Sequence, residues 1–206
     1  MVNEEVNKSW AIRTSTDELL NFIIFTGCMY NLIDDKNFDD SNTPWPTNLL
    51  NTDCKKLQRD KLKSQWKLWF NNAIEEKCNN INPNKMCVLV NEKYNVNDFS
   101  QLQYIELREC CKKAYPLFIE WWEMQAGGKS AISFYEIIVG NKFCDYIKEL
   151  ECQLNKKSKP FNFYIDLVYT GVPDVLDIND EYVIVTPNGY LSLDREWWIE
   201  KFIKLI

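Results

Sequence analysis

Carboxylate, thiol, lysine and tyrosine side chains must supply any chemistry of this chain, because its 206 residues include no histidine. Histidine is the usual general base, proton shuttle and metal ligand near neutral pH. Its absence excludes Ser-His-Asp and Cys-His nucleophiles, HExxH zinc sites and Cys2His2 zinc fingers. Catalysis by carboxylates or thiols remains open, but the balance moves towards a binding function.

A group of acidic side chains near the end of the sequence is the main candidate site. Residues 160–194 contain six carboxylates and neither lysine nor arginine. The candidate partner-binding residues are Asp166, Asp174, Asp177, Asp180, Glu181 and Tyr182. Three interpretations are open: the charges protect a sheet edge from aggregation, they attract a basic partner, or Asp166 with Asp174 or Asp177 binds a divalent metal.

The sequence matches two known motifs only in part. A PD-(D/E)xK nuclease pattern could begin at Pro173-Asp174, but Glu181-Tyr182-Val183 has valine where the motif requires lysine. The segment Gly127-Gly128-Lys129-Ser130 ends like a P-loop, but it lacks the leading glycine and follows an aromatic helix. We expect this segment to be a turn between two helices.

Two tryptophans, Trp66 within a basic segment and Trp69 just after it, could either bind nucleic acid or pack in the core. Residues 55–67 contain six lysines and arginines against Asp60 alone. Trp66 and Trp69 could stack on bases, but their helical spacing favours a core position with the lysines solvated. The net charge of −6 and the isoelectric point near 4.9 also argue against nucleic-acid binding.

The eight cysteines lack a CxxC pattern, so we expect buried thiols and no metal site. The first residues lack the pattern of a signal peptide, and no apolar run is long enough to span a membrane. We therefore expect a cytoplasmic protein with no membrane partner and no cofactor.

Hydrophobic periodicity predicts an α+β fold in one domain spanning 1–206. Mainly helical sequence extends to about residue 155, and a module at about 160–206 holds a small antiparallel β-meander and a C-terminal helix. Ser15 and Glu18 form a capping-box pattern for the first helix. Pro187-Asn188-Gly189 predicts a hairpin turn, and Asp194 a helix N-cap. The predicted helices cover about 16–32, 53–78, 99–114, 117–122 and 131–154, and the predicted strands 161–169, 182–186 and 190–193.

These features favour a non-enzymatic protein-binding protein, comparable in class to an immunity protein or antitoxin that neutralises a basic toxin or nuclease. Two alternatives stay open. One is a carboxylate-dependent metal enzyme acting on a phosphoester. The other is a subunit of a larger assembly, with Trp121-Trp122 or Trp197-Trp198 as exposed interface anchors.

Overall fold

A computed structural model describes residues 10–33, 56–79, 87–138, 142–170 and 173–206. The polar composition of residues 33–52 and the segment Pro44-Trp45-Pro46 also predict a long loop, which lies outside these ranges except for residue 33. Within them, helices dominate the first three-quarters, and most strands come late, which confirms the α+β prediction. The elements are β1 (Trp10–Ser15), α1 (Glu18–Met29), α2 (Lys56–Asn79), α3 (Val90–Lys93), α4 (Ile105–Trp122), α5 (Gly128–Ile138), α6 (Lys142–Gln153), β2 (Phe161–Leu167), β3 (Val175–Asn179), β4 (Tyr182–Val185), α7 (Pro187–Ser192) and α8 (Arg195–Ile203).

The four described strands form one mixed sheet in the order β1-β2-β4-β3. β2 runs parallel to both β1 and β4, and only β3 and β4 pair antiparallel. The pairing therefore differs from the predicted meander, because a strand from the beginning of the chain joins the sheet, and β4 rather than β3 pairs with β2 although β3 precedes it in the sequence. β3 has an irregular register between Asp177 and Asn179, which breaks the simple alternation that would have predicted it.

The start of α1 differs from the predicted capping box. Asp17 is the N-cap, and its carboxylate accepts a hydrogen bond from the Leu20 backbone N–H at 2.7 Å. Ser15 instead ends β1. The Glu18 carboxylate accepts from the backbone N–H of Val90 at 2.9 Å, so it links α1 to α3 rather than closing a box.

The predicted hairpin at Pro187-Asn188-Gly189 is the helix α7, and the predicted strand at 190–193 is therefore wrong. The Thr186 hydroxyl caps this helix by accepting from the Gly189 N–H at 3.1 Å. Pro187 occupies a first-turn position, where its missing N–H has no cost. The prediction for α8 is confirmed, because Asp194 caps it at the Trp197 N–H.

Helices cover both faces of the sheet. On one face, Phe163 of β2 contacts Trp198 and Phe202 of α8. On the other face, Asp166 of β2 meets Lys77 of α2. Since side chains alternate along a strand, the odd and even positions of β2 face these two helical layers in turn.

The tryptophans pack mainly in the core. Trp66 and Trp69 of α2 are each 6% exposed, as the core interpretation predicts. Trp121, Trp122 and Trp198 are also buried, which removes them as exposed interface anchors, and Trp197 is partly buried against the core. Gly127 and Gly128 lie at the junction of α4 and α5, as expected for a turn between helices. α4 continues through Pro116, where the sequence predicts a break.

Candidate functional site

Four of the predicted site residues form an exposed surface, which we call the acidic edge: Asp174, Asp177, Asp180 and Glu181. They lie on β3, at the edge of the described sheet, and on the segments that flank it. Asp174 precedes β3, Asp177 lies on it, and Asp180 and Glu181 follow it, so the four carboxylates are spread along the length of the edge strand.

Lysines of the C-terminal helical segment contact the acidic edge. Lys201 forms an ion pair with Asp177 and donates to the Asn179 carbonyl at 3.0 Å. Lys204 lies 3.3 Å from the Asp180 carboxylate. Both lysines follow residue 194, so a count that stops there overstates the negative charge of this region.

The other two predicted site residues, Asp166 and Tyr182, are each 1% exposed and cannot belong to a docking surface. Strand pairing explains their burial: both side chains lie on the face of the sheet that α2 covers. The Tyr182 hydroxyl donates to the Asp166 carboxylate at 2.6 Å, and the Ser15 hydroxyl donates to the other oxygen at 2.6 Å. Ser15 is the β1 register partner of Asp166, which places its hydroxyl there.

Asp166 belongs to a buried ion cluster with Asp17 and Lys77. The Lys77 ammonium forms an ion pair with Asp166 and lies 3.1 Å from an Asp17 oxygen. That oxygen also accepts from the Val88 backbone N–H at 2.9 Å. One cation from the last turn of α2 thus joins the N-cap of α1 to the middle strand β2.

The protonation equilibria of the cluster follow from its burial. Burial raises the pKa of Asp17, Lys77 lowers it by attraction, and repulsion from Asp166 raises it again, with a net upward shift. For Lys77, burial lowers the pKa, but attraction to Asp166 and Asp17 outweighs it and the net shift is upward. Burial together with the neighbouring Asp166 charge raises the pKa of Tyr182 well above its ordinary value.

The third interpretation of the acidic residues, a divalent-metal site, does not fit this arrangement. The Asp166 carboxylate is occupied by two hydroxyl donors and an ammonium group. Asp174 accepts from the Thr186 hydroxyl at 2.6 Å, and Asp177 pairs with Lys201. Among the described residues, no three cysteine or acidic side chains are grouped as a metal site would require.

Sequence reasoning missed Asp17 and Lys77. Lys77 is one of many lysines in α2, and only the fold makes it differ from its neighbours, since its partner Asp17 is 60 residues away. Asp17 did carry a local indication, because aspartate is among the preferred N-cap residues.

A cavity of about 350 Å³ lies beside the buried ion cluster, between α2, α3 and the beginning of α4. Its walls are largely apolar and aromatic, and they include Leu68, Trp69, Val88, Tyr94, Tyr104 and Leu107. Trp69 Nε1 donates to the Tyr94 hydroxyl at 2.9 Å, which fixes two of the rings. Asp17, Lys77 and Tyr182 are among the polar residues that line it.

The seven described cysteines are free thiols. Burial raises the pKa of Cys111 well above its ordinary value, with a smaller contribution from Cys110. No described helix combines the length and apolar character needed to cross a membrane.

Comparison with known proteins gives no relative: no family model, no curated protein and no solved structure matches this chain.

Proposed function

We propose that this protein binds a basic protein partner through the acidic edge, as a cytoplasmic neutraliser of the immunity or antitoxin class. The observation that carries the proposal is the exposure of the carboxylates on an edge strand. Asp177 and Asp180 keep 47% and 61% of their side-chain surface exposed, although each has a lysine partner. The free thiols of the described cysteines support a reducing compartment.

The acidic edge is held in place before a partner arrives. The Thr186 hydroxyl holds Asp174, and Lys201 holds Asp177. The Lys201 side chain is itself only 6% exposed, so it contacts β3 from the protein interior. A surface ordered in advance loses less conformational entropy on binding, which favours affinity.

The lysine partners also set the strength of the electrostatic effect. Four carboxylates and two lysines leave a net charge of −2 on this surface. Lys204 is 53% exposed, so it can move aside when a cationic side chain of the partner approaches Asp180. We therefore expect charge to accelerate association, with a clear dependence on salt.

The test replaces the two carboxylates that support the fold least, in the variant Asp180→Lys/Glu181→Lys. The exposed pair between Asp180 and Lys204 contributes little to stability. The matched control, Glu75→Lys/Glu120→Lys, makes the same charge change at exposed positions of α2 and α4. Both variants and the unmodified protein are used to capture partners from native lysate, and association of the captured protein is followed by stopped flow at low and high salt.

We expect a basic protein to bind the unmodified protein and the control, with association at low salt about tenfold slower for the edge variant. High salt should reduce this difference. Equal association rates for the edge variant and the control would refute the proposal.

A further inference from the structure

We propose that the cavity between α2, α3 and α4 is a binding site for a small, neutral aromatic molecule that carries an N–H or O–H donor. The proposal is independent of the acidic edge. It rests on an unpaired acceptor in a residue that lines the cavity, on the charge balance of the lining residues and on the aromatic side chains among them.

The unpaired acceptor is Oε1 of Gln65, on α2 one turn before Trp69. Gln65 lines the cavity and is 4% exposed. Its Oε1 is buried without a hydrogen-bond partner among the described residues. A buried acceptor without a donor costs free energy, so a ligand that supplies a donor gains what the free protein lacks.

Glu106 fixes which way the Gln65 amide points. Gln65 Nε2 donates to a Glu106 carboxylate oxygen at 3.2 Å. Hydrogen bonding from Lys61, a backbone N–H and Gln65 lowers the pKa of Glu106 to about 2, so this carboxylate is ionised and can only accept. Rotating the amide by half a turn would place two acceptors together, and Oε1 therefore stays the group that requires a donor.

The charges around the cavity balance one another. Glu76 pairs with Lys93, and Lys77 pairs with Asp17 and also with Asp166, which is not part of the lining. These are two carboxylates and two ammonium groups among the residues that line the cavity. No surplus of either sign is present in the described lining, and this favours a neutral ligand.

The size and the walls indicate a flat apolar ligand. A volume of about 350 Å³ lies at the lower end of the range for small-molecule sites. Trp69, Tyr94 and Tyr104 present aromatic surface, and aromatic rings pack favourably against one another in stacked or edge-on arrangements. A few polar groups in an apolar cavity are typical of sites that orient one ligand.

The test compares indole with benzofuran, two probes of nearly the same shape that differ by the N–H donor. Binding to the full chain is followed by NMR titration of the side-chain amide signals, including that of Gln65. We expect indole to bind about tenfold more tightly than benzofuran. In Gln65→Met, which keeps side-chain length but removes the acceptor, we expect the two affinities to agree within about twofold.

A second variant tests the location without touching Gln65. Ala73 lines the cavity, and Ala73→Leu should fill part of it and weaken both probes about tenfold or more. Ala126→Leu, at an exposed position after α4, is the matched control and should bind like the unmodified protein. The proposal is overturned if indole does not bind, if it binds no better than benzofuran, or if Ala73→Leu leaves its affinity unchanged.

Discussion

Replacing Lys77 with methionine tests whether the buried ion cluster contributes to stability as its geometry indicates. The substitution keeps an unbranched side chain of similar length but removes the charge shared by Asp17 and Asp166. These carboxylates are 3% and 1% exposed in their side chains, so water can replace the lost ammonium group only in part. Removing one member of a buried pair generally costs about 3–5 kcal/mol.

The structure places Lys77→Met at the lower end of this range, at about 3 kcal/mol. Asp166 keeps its two hydroxyl donors, and Asp17 keeps the backbone donors of Leu20 and Val88. The Lys77 side chain is itself 18% exposed, so water can reach part of the space it vacates. A loss of this size is a large fraction of the free energy of unfolding of a folded domain, which is usually about 5–15 kcal/mol.

The stability cost of Lys77→Met depends on pH through the protonation of Asp17. The pKa of Asp17 is raised above 3.8 in the folded protein, so its proton favours folding below that value and this contribution is lost as pH rises through the folded pKa. Removing Lys77 takes away an attraction that lowers this pKa, so it rises further. The cost of Lys77→Met should therefore shrink between about pH 7 and about pH 4.5.

The assay is urea unfolding followed by circular dichroism at both pH values. The matched control is Lys93→Met, because the Lys93–Glu76 pair is 34% and 54% exposed and should contribute less than about 1 kcal/mol. If Lys77→Met does not fold, Lys77→Met/Asp166→Asn should recover folding by removing one of the two unpaired charges. A stabilising role of the buried ion cluster would be contradicted if Lys77→Met costs no more free energy of unfolding than Lys93→Met. The same cost at both pH values would contradict the part that the charge of Asp17 has in it.

Three further predictions concern stability and reactivity. Gly189→Ala should cost about 2 kcal/mol in urea unfolding, because an added Cβ would lie 2.1 Å from the Asp174 carbonyl oxygen. Asp194→Ala should cost about 1 kcal/mol in the same assay through loss of the α8 N-cap. In the folded protein, Cys152 should react with a thiol reagent while Cys111 does not, since only Cys152 is exposed and burial raises the pKa of Cys111.

Controls for these predictions lie beside the tested positions. Asn188→Ala and Glu196→Ala change exposed neighbours and should stay within about 0.5 kcal/mol of the unmodified protein. Losses equal to these controls for Gly189→Ala or Asp194→Ala would contradict the packing and capping arguments. Modification of Cys111 as fast as Cys152, read by mass spectrometry of peptides, would contradict its burial.

The sequence predicted those secondary-structure elements that depend on neighbouring residues alone. Asp194 caps α8 as expected, and alternating side chains gave the position of β2. The segment after β4 has a sequence that is compatible with both a hairpin and a helix. Pro187-Asn188-Gly189 is typical of a hairpin, but Thr186 before Pro187 also forms a helix N-cap followed by proline.

Long-range contacts explain what could not be predicted. β1 forms a strand because it pairs with β2. Its own sequence does not indicate a strand, since Ser15 at its end also fits a helix N-cap. The division of the acidic residues into the exposed edge and the buried Asp166 depends on strand pairing and on Lys77. Gln65 gives no local indication of an unpaired acceptor, because that property arises from Glu106 and the cavity.

The pairing of β1 with β2 constrains when this protein can fold during synthesis. Ser15 and Asp166 are in register although they are 151 residues apart. The ribosome therefore releases β1 long before its partner strand exists, and closing so long a loop is a slow, high-contact-order step. The native sheet can form only after β2, β3 and β4 have been translated, and until then the apolar residues of β1 and α1 are available to chaperones or to aggregation.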